Sequence, residues 1–261
     1  MDLFRHRRRK ADPPPKRGIE GDLIRVVALS MHFAGRRVLR DVDLGVRPGE
    51  IFVIMGPSGC GKTTLVKHIC GLLAPDVGTV FIHGRDIYLL PEDELNELRR
   101  RMGMAFQGGA LINSMTVLDN VMLPLREAMD LPEALIEPLA RVKLEMVGLL
   151  HAALLLPGDL SGGMRKRAAI ARAIVMDPEI LFFDEPSAGL DPVTAAGVDN
   201  LIIKLNKVFG ITMVVVTHDL PSAFLVADRI ALLDGGVVIA LGTSEEIRAN
   251  QDPRVRNFIN R

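Results

Sequence analysis

The run Gly56-Pro57-Ser58-Gly59-Cys60-Gly61-Lys62-Thr63 matches the spacing G-x-x-x-x-G-K-[ST], which predicts a loop that cradles phosphate. Glycines let the main chain turn tightly enough for successive N–H groups to converge on anionic oxygens. A helix beginning near Lys62 would aim its positive end at them. Lys62 is then placed to reach the β- and γ-phosphates of a nucleoside triphosphate such as ATP, and the Thr63 hydroxyl to ligate Mg²⁺; Thr64 belongs to the same nucleotide-binding set.

Further along, Asp184 and Glu185 close an apolar run that begins at Ile180, at the strand end where parallel α/β sheets present their ligands. Asp184 is expected to hold Mg²⁺, and Glu185 to orient or deprotonate the water attacking the γ-phosphate. An Asp-Glu pair alone also describes a solvated strand end. His218 follows a second apolar strand, where it could hydrogen-bond the γ-phosphate or the lytic water, although a lone histidine is commonly structural. Gln107 lies where the sequence pattern changes from strand to helix, and can contact Mg²⁺ or water.

Leu160-Ser161-Gly162-Gly163-Met164 opens another helix with a hydroxyl and paired glycines. As an anion cradle this segment is surplus within one chain, because the first loop already holds the triphosphate. It makes sense closing over the nucleotide of a second copy, so that two chains head to tail sandwich two ATP molecules. An ordinary serine cap with flexible glycines is the alternative.

Several elements must position these groups. The expected antiparallel start has strands over 23–29 and 38–46 around a turn at Ala34-Gly35-Arg36. Strand Ile51–Met55, a helix over 62–72 and a strand over 79–83 then form a first α/β section. A short charged helix over 95–101 and a strand over 103–106 follow. Three helices over 117–129, 132–147 and 163–176 make a second lobe spanning about 107–176. Strands return at Ile180–Asp184, Thr212–Thr217, 229–233 and 237–241, and helices over 244–250 and Pro253–Ile259 finish the chain.

The 261 residues are enough for a large α/β domain or a core with an appended lobe, over residues 22–261. Residues 1–21, with Arg5, Arg7, Arg8, Arg9, Lys10 and three consecutive prolines, read as a disordered tail able to touch anionic lipid. Thirty-two basic residues balance 32 acidic ones, so no global field draws in nucleic acid, and none is expected as a partner. A chain 48% hydrophobic but only 4% aromatic fits a Val/Ile/Leu sheet buried on both faces. Cys60 and Cys70 are too few for a disulfide framework, which points to a reducing cytoplasm. No apolar stretch approaches the ~20 residues a membrane-spanning helix needs.

In their order and spacing these motifs resemble the nucleotide-binding subunits of ABC transporters, over nearly the whole chain from about Leu23. The resemblance implies a RecA-like P-loop core with an antiparallel β subdomain and an inserted α-helical subdomain. It implies that Phe33 stacks on adenine, Gln107 is the Q-loop residue, Ser161-Gly162-Gly163 the signature, Glu185 the catalytic base, Asp191 the D-loop residue and His218 the switch. Phe33 replaces the commoner Tyr or Trp, and Met164 stands where many members have Gln.

Within that family, 106–111, Asn120-Val121 with 124–127, 160–167 and 252–256 look like the Mla-type, MCE-associated lipid transport ATPases. This implies a peripheral subunit on the cytoplasmic face of a bacterial inner membrane, working with a permease and a periplasmic MCE-domain protein to move phospholipid, with a STAS-domain subunit in some relatives. Leu111, Ile112, Met115 and Val117 are then expected to meet the permease or to fill the lobe. An ATPase for another import substrate, such as an amino acid, and a non-transport ABC ATPase are the alternatives.

Overall fold

The computed structural model describes residues 21–33 and 35–260. The tail expected over 1–21 lies outside the described residues except for Gly21, as does Ala34 of the expected first turn. The chain opens with an antiparallel pair, β1 (Ile24–Phe33) and β2 (Arg36–Val46), in which Ile24 faces Val46 and Phe33 faces Arg36. Next come β3 (Ile51–Met55), α1 (Lys62–Ile69), β4 (Val77–Ile82), the two-residue β5 (Arg85–Asp86), α2 (Glu92–Arg100) and β6 (Met102–Ala105). Helices α3 (Val117–Ala128), α4 (Glu133–Met146) and α5 (Gly162–Ala173) then pack on one another before the chain returns to β7 (Ile180–Asp184). It ends through α6 (Pro192–Phe209), β8 (Thr212–Thr217), α7 (Leu220–Val226), β9 (Arg229–Asp234), β10 (Val237–Gly242), α8 (Ser244–Ala249) and α9 (Pro253–Ile259).

Two sheets result. A six-stranded one, in the order β10-β9-β3-β8-β7-β6, is parallel except for β10; a four-stranded antiparallel one has the order β2-β1-β4-β5. Every residue of β3 is buried. Because strand side chains alternate, its two faces feed two cores. Val53 and Met55 point with Phe183 and Val215 into the core shared with α3 to α7. Phe52 and Ile54 join Phe182 against Leu29, Leu39, Leu65 and Ile69, between the sheets.

Three expectations need correction. The strand near 79–83 does not join the parallel section: β3 already has β8 on one side and β9 on the other, so β4 pairs antiparallel with β1, Ile24 opposite Ile82. The helix from Lys62 stops at Ile69, where Cys70 and then Gly71 (φ 68°) end it, rather than reaching 72. Helices α6 and α7 were not anticipated at all. Yet α6 carries clear signals, an Asp191 cap, Pro192 in its first turn and Gly210 (φ 65°) at its end.

Candidate active site

The phosphate loop leaves β3 through Gly56, whose φ is 153° and where an added Cβ would lie 2.0 Å from the Leu233 carbonyl oxygen; only glycine fits. The loop closes on itself. Lys62 is 8% exposed and its Nζ donates to the carbonyls of Gly56 (2.7 Å) and Pro57 (3.1 Å). Gly61 precedes α1 with φ 108° and supplies no side-chain cap, so no side chain of the cap claims the first-turn N–H groups, as an anion site requires. Cys60 is a buried free cysteine whose thiol is pushed up from its usual range by burial.

Asp184 and Glu185 end β7 beside this loop. The Asp184 carboxyl is pushed up by burial and then by the adjacent Glu185 charge, against the pull of Lys62, the Thr63 hydroxyl and Lys166. Glu185 is 8% exposed and sits in the left-handed region at φ 51°, a conformation costing a non-glycine residue on the order of 1–3 kcal/mol. The neighbouring strand holds it there: its N–H donates to the Val216 carbonyl at 2.8 Å. The Thr217 hydroxyl donates to Glu185 Oε2 at 3.2 Å, and His218 Nδ1 lies 2.6 Å from Glu185 Oε1. With both carboxylate oxygens bonded, the side chain is fixed at the carboxyl end of the parallel sheet.

Lys166 was missed by the sequence reading. From α5 its Nζ donates to the carbonyl of Gln107 and, at 2.9 Å, to that of Glu185, tying the helical segment to both ends of the site. No local motif reveals this, since its two partners lie 59 and 19 residues away. Gln107 itself is exposed in the loop after β6. That loop is firmly held. Arg172 donates to the carbonyls of Gly109 (2.9 Å) and Ala110 (2.6 Å), and the fully buried Asn120 accepts from Ile112 N–H (2.7 Å) while donating to the Ile112, Met115 and Thr116 carbonyls. Val117 is fully buried, Leu111 packs on the core, and Ile112 is exposed. Of the four expected contact residues, Val117 is therefore lobe filler.

Ser161 caps α5, its hydroxyl accepting from the Met164 N–H at 3.3 Å, and remains exposed together with Gly162. Gly163 is buried, and a Cβ there would come within 2.4 Å of Thr194 Cγ2. The turn thus leans on the start of α6, where Asp191 accepts from the N–H groups of Val193 and Thr194, both at 3.1 Å. Phe33, 69% exposed, ends β1 on the antiparallel sheet.

A phosphate loop after β3, a carboxylate pair at the end of β7 and helices inserted between β6 and β7 define a nucleotide-hydrolysing P-loop protein. The family model for ABC transporters matches residues 39–188, and the chain belongs to that family, as an ATP-binding and ATP-hydrolysing subunit. It is 45% identical over 238 residues to an intermembrane phospholipid transport system ATP-binding protein, MlaF, of Haemophilus influenzae, covering 91% of this chain and 90% of that one. The MlaF of Escherichia coli K12 is 44% identical over 238 residues, with 91% and 88% covered. A probable ribonucleotide transport ATP-binding protein, mkl, of Mycobacterium leprae is 40% identical over 240 residues, with 92% and 69% covered. Among solved structures, the dimeric post-hydrolysis state of the ATP-binding cassette MJ0796 bound to ADP and Pi superposes with a TM-score of 0.77 at 35% identity, covering 85% of this chain and 98% of that one. For cbiO1 of Clostridium perfringens the TM-score is 0.81 at 29% identity, with 93% and 100% covered.

Proposed function

We propose that this chain is the ATPase of a phospholipid transport system, acting on the cytoplasmic face of the inner membrane beneath a permease. Two copies close head to tail around two ATP molecules. In each pocket Lys62 leaves the carbonyls it now holds and turns to the β- and γ-phosphates, while the loop N–H groups from Gly56 to Thr63, with Thr64, bind the phosphate chain. Phe33 stacks on the base. The Ser161-Gly162-Gly163 turn and Asp191 of the second copy complete the pocket.

Glu185 is the base, held in line by Thr217, and His218 keeps its carboxylate occupied until a γ-phosphate competes for the imidazole. The oxygen donors of Thr63, Asp184 and Gln107 suit Mg²⁺. The fit rests on the Thr63 hydroxyl acting on the Asp184 carboxyl and on that burial-raised carboxyl lying beside a second one, a pair that a divalent cation favours in its charged form. When bound, Mg²⁺ would offset charge on the phosphate oxygens. Residues from about 107 to 176 form the lobe that passes closure to the permease, with a periplasmic MCE-domain protein and a STAS-domain subunit as further partners.

The observation that carries the hydrolytic part is the doubly bonded Glu185 carboxylate beside the Asp184–Thr63 pair; the lipid part rests on 45% identity across 91% of the chain. Reconstitution with the permease in vesicles tests both. Phospholipid transfer that needs ATP and vanishes in Glu185→Gln is the expected result. Turnover stimulated instead by a ribonucleotide or an amino acid, with no lipid moved, contradicts the phospholipid assignment.

A further inference from the structure

A buried carboxylate lies one layer behind the site, on a helix the sequence reading did not anticipate. Asp199 of α6 is 3% exposed, and the Ser222 hydroxyl of α7, itself 5% exposed, donates to its Oδ1 at 2.8 Å. Burying a carboxyl is unfavourable unless it is bonded; desolvation indeed pushes its titration up, with the Ser222 bond pulling the other way and Asp219 adding to the rise. An apolar residue would pack α6 against α7 without that penalty.

The bond does not stand alone. The Ser222 N–H donates to Asp219 Oδ1 at 2.8 Å, the Asp219 N–H to Thr217 Oγ1 at 3.1 Å, and the Thr217 hydroxyl to Glu185 Oε2 at 3.2 Å. One unbroken run of hydrogen bonds therefore connects the Glu185 carboxylate to α6. The same helix starts at Asp191, about two turns before Asp199, and the Ser161 turn leans on that start through Leu190 and Thr194. Glu185, which serves the chain's own nucleotide, and the Asp191–Ser161 surface, which serves the partner copy's, are fixed to one another through Asp199.

We infer that Asp199 is a positioning residue: its bond to Ser222 locks the Thr217–Ser222 segment to α6, so that seating a partner's nucleotide against Ser161 and Asp191 sets the Glu185 carboxylate in its own pocket. This rests on the Glu185 and Ser161 roles proposed above. Bonded side chains that share a network couple non-additively, whereas independent ones do not.

The test uses the purified full chain. Asp199→Leu, which keeps the branching at Cγ and removes the acceptor, is expected to lower kcat by about 10-fold with ATP affinity within about 2-fold of the parent. Asp199→Asn, which can still accept from Ser222, is expected to keep at least about half of the parent rate. Adding Ser222→Ala to Asp199→Leu should lower kcat little further, and amide exchange at Thr217, Asp219 and Ser222 should quicken in Asp199→Leu. A folded Asp199→Leu chain with parental kcat and exchange overturns the inference, as do two substitutions whose effects simply multiply. Glu185→Gln measured alongside separates the failures: parental turnover there removes the base assignment, and the exchange data then decide the link by themselves. Where Asp199→Leu does not fold, Ser222→Ala with the same readouts takes its place.

Discussion

Two helix starts in this chain carry glycines and face anion chemistry, and they are built differently. At the phosphate loop, Gly61 leaves the first turn of α1 without a side-chain cap, and a nearly buried Lys62 fills the space with its ammonium. At the Ser161 turn the hydroxyl caps its own helix through Met164, Gly163 is packed against Thr194, and the surface stays open. The first has charge, donors and shape enough to bind phosphate alone. The second has a single hydroxyl, to which no cation among the described residues is bonded, and in the proposed dimer it finishes a pocket begun elsewhere. The proposed composite site divides the work accordingly, with affinity in one chain's loop and closure in the other's turn.

The largest effect should come from Glu185, the proposed base. Glu185→Gln is expected to lower kcat by about 10²–10⁴-fold while leaving ATP bound, and to hold the ATP-loaded dimer closed, as read by light scattering. Near-parental turnover would dissolve the distinction between binding and closure. Lys62→Ala should instead weaken ATP binding itself by roughly 100-fold, measured by calorimetry, since both the phosphate ligand and the staple across Gly56 and Pro57 go together.

Ser161→Asp sharpens the contrast. Aspartate caps a helix about as well as serine, so stability should change by less than about 0.5 kcal/mol, whereas a carboxylate aimed at a partner's γ-phosphate should abolish ATP-dependent dimerisation. A Ser161→Asp chain that dimerises normally reduces this turn to a helix cap. Lys166→Met, which unties Gln107 and Glu185 from α5, should lower kcat by about 10-fold with smaller change in ATP affinity.

The smallest effect concerns pH. Asp199 titrates above its ordinary value in the folded chain, chiefly through burial, so the native state binds the extra proton. This unfavourable contribution is absent below the unfolded-state pKa, grows as pH rises toward the folded one, and is complete above it. Asp199→Asn should therefore raise the melting temperature at pH 7 by a few degrees at most, with the gain shrinking toward pH 4. A gain that persists at pH 4 contradicts this sign.

Motifs that sit where a buried strand ends were legible in the sequence, because a strand buried on both faces reads as an unbroken apolar run and the reactive residues follow at fixed spacing. Lys62, Asp184, Glu185 and His218 were singled out in this way, and the structure brings Glu185 and His218 into contact. What could not be read was set by pairing at a distance. The sheet that β4 joins depends on β3 having no free edge, and Lys166 matters only because two remote carbonyls meet its ammonium. Helix α6 was different: its Asp191-Pro192 start and Gly210 stop were present in the sequence, but its polar and small residues, including Gly197, blurred the apolar period.

The most direct test is the structure of the Glu185→Gln chain saturated with ATP and Mg²⁺ on its permease. The Ser161 hydroxyl of one copy is expected within about 3 Å of the γ-phosphate held by the other copy's Lys62 loop. A triphosphate enclosed by a single chain, with the second copy's Ser161 turn facing solvent, would contradict it.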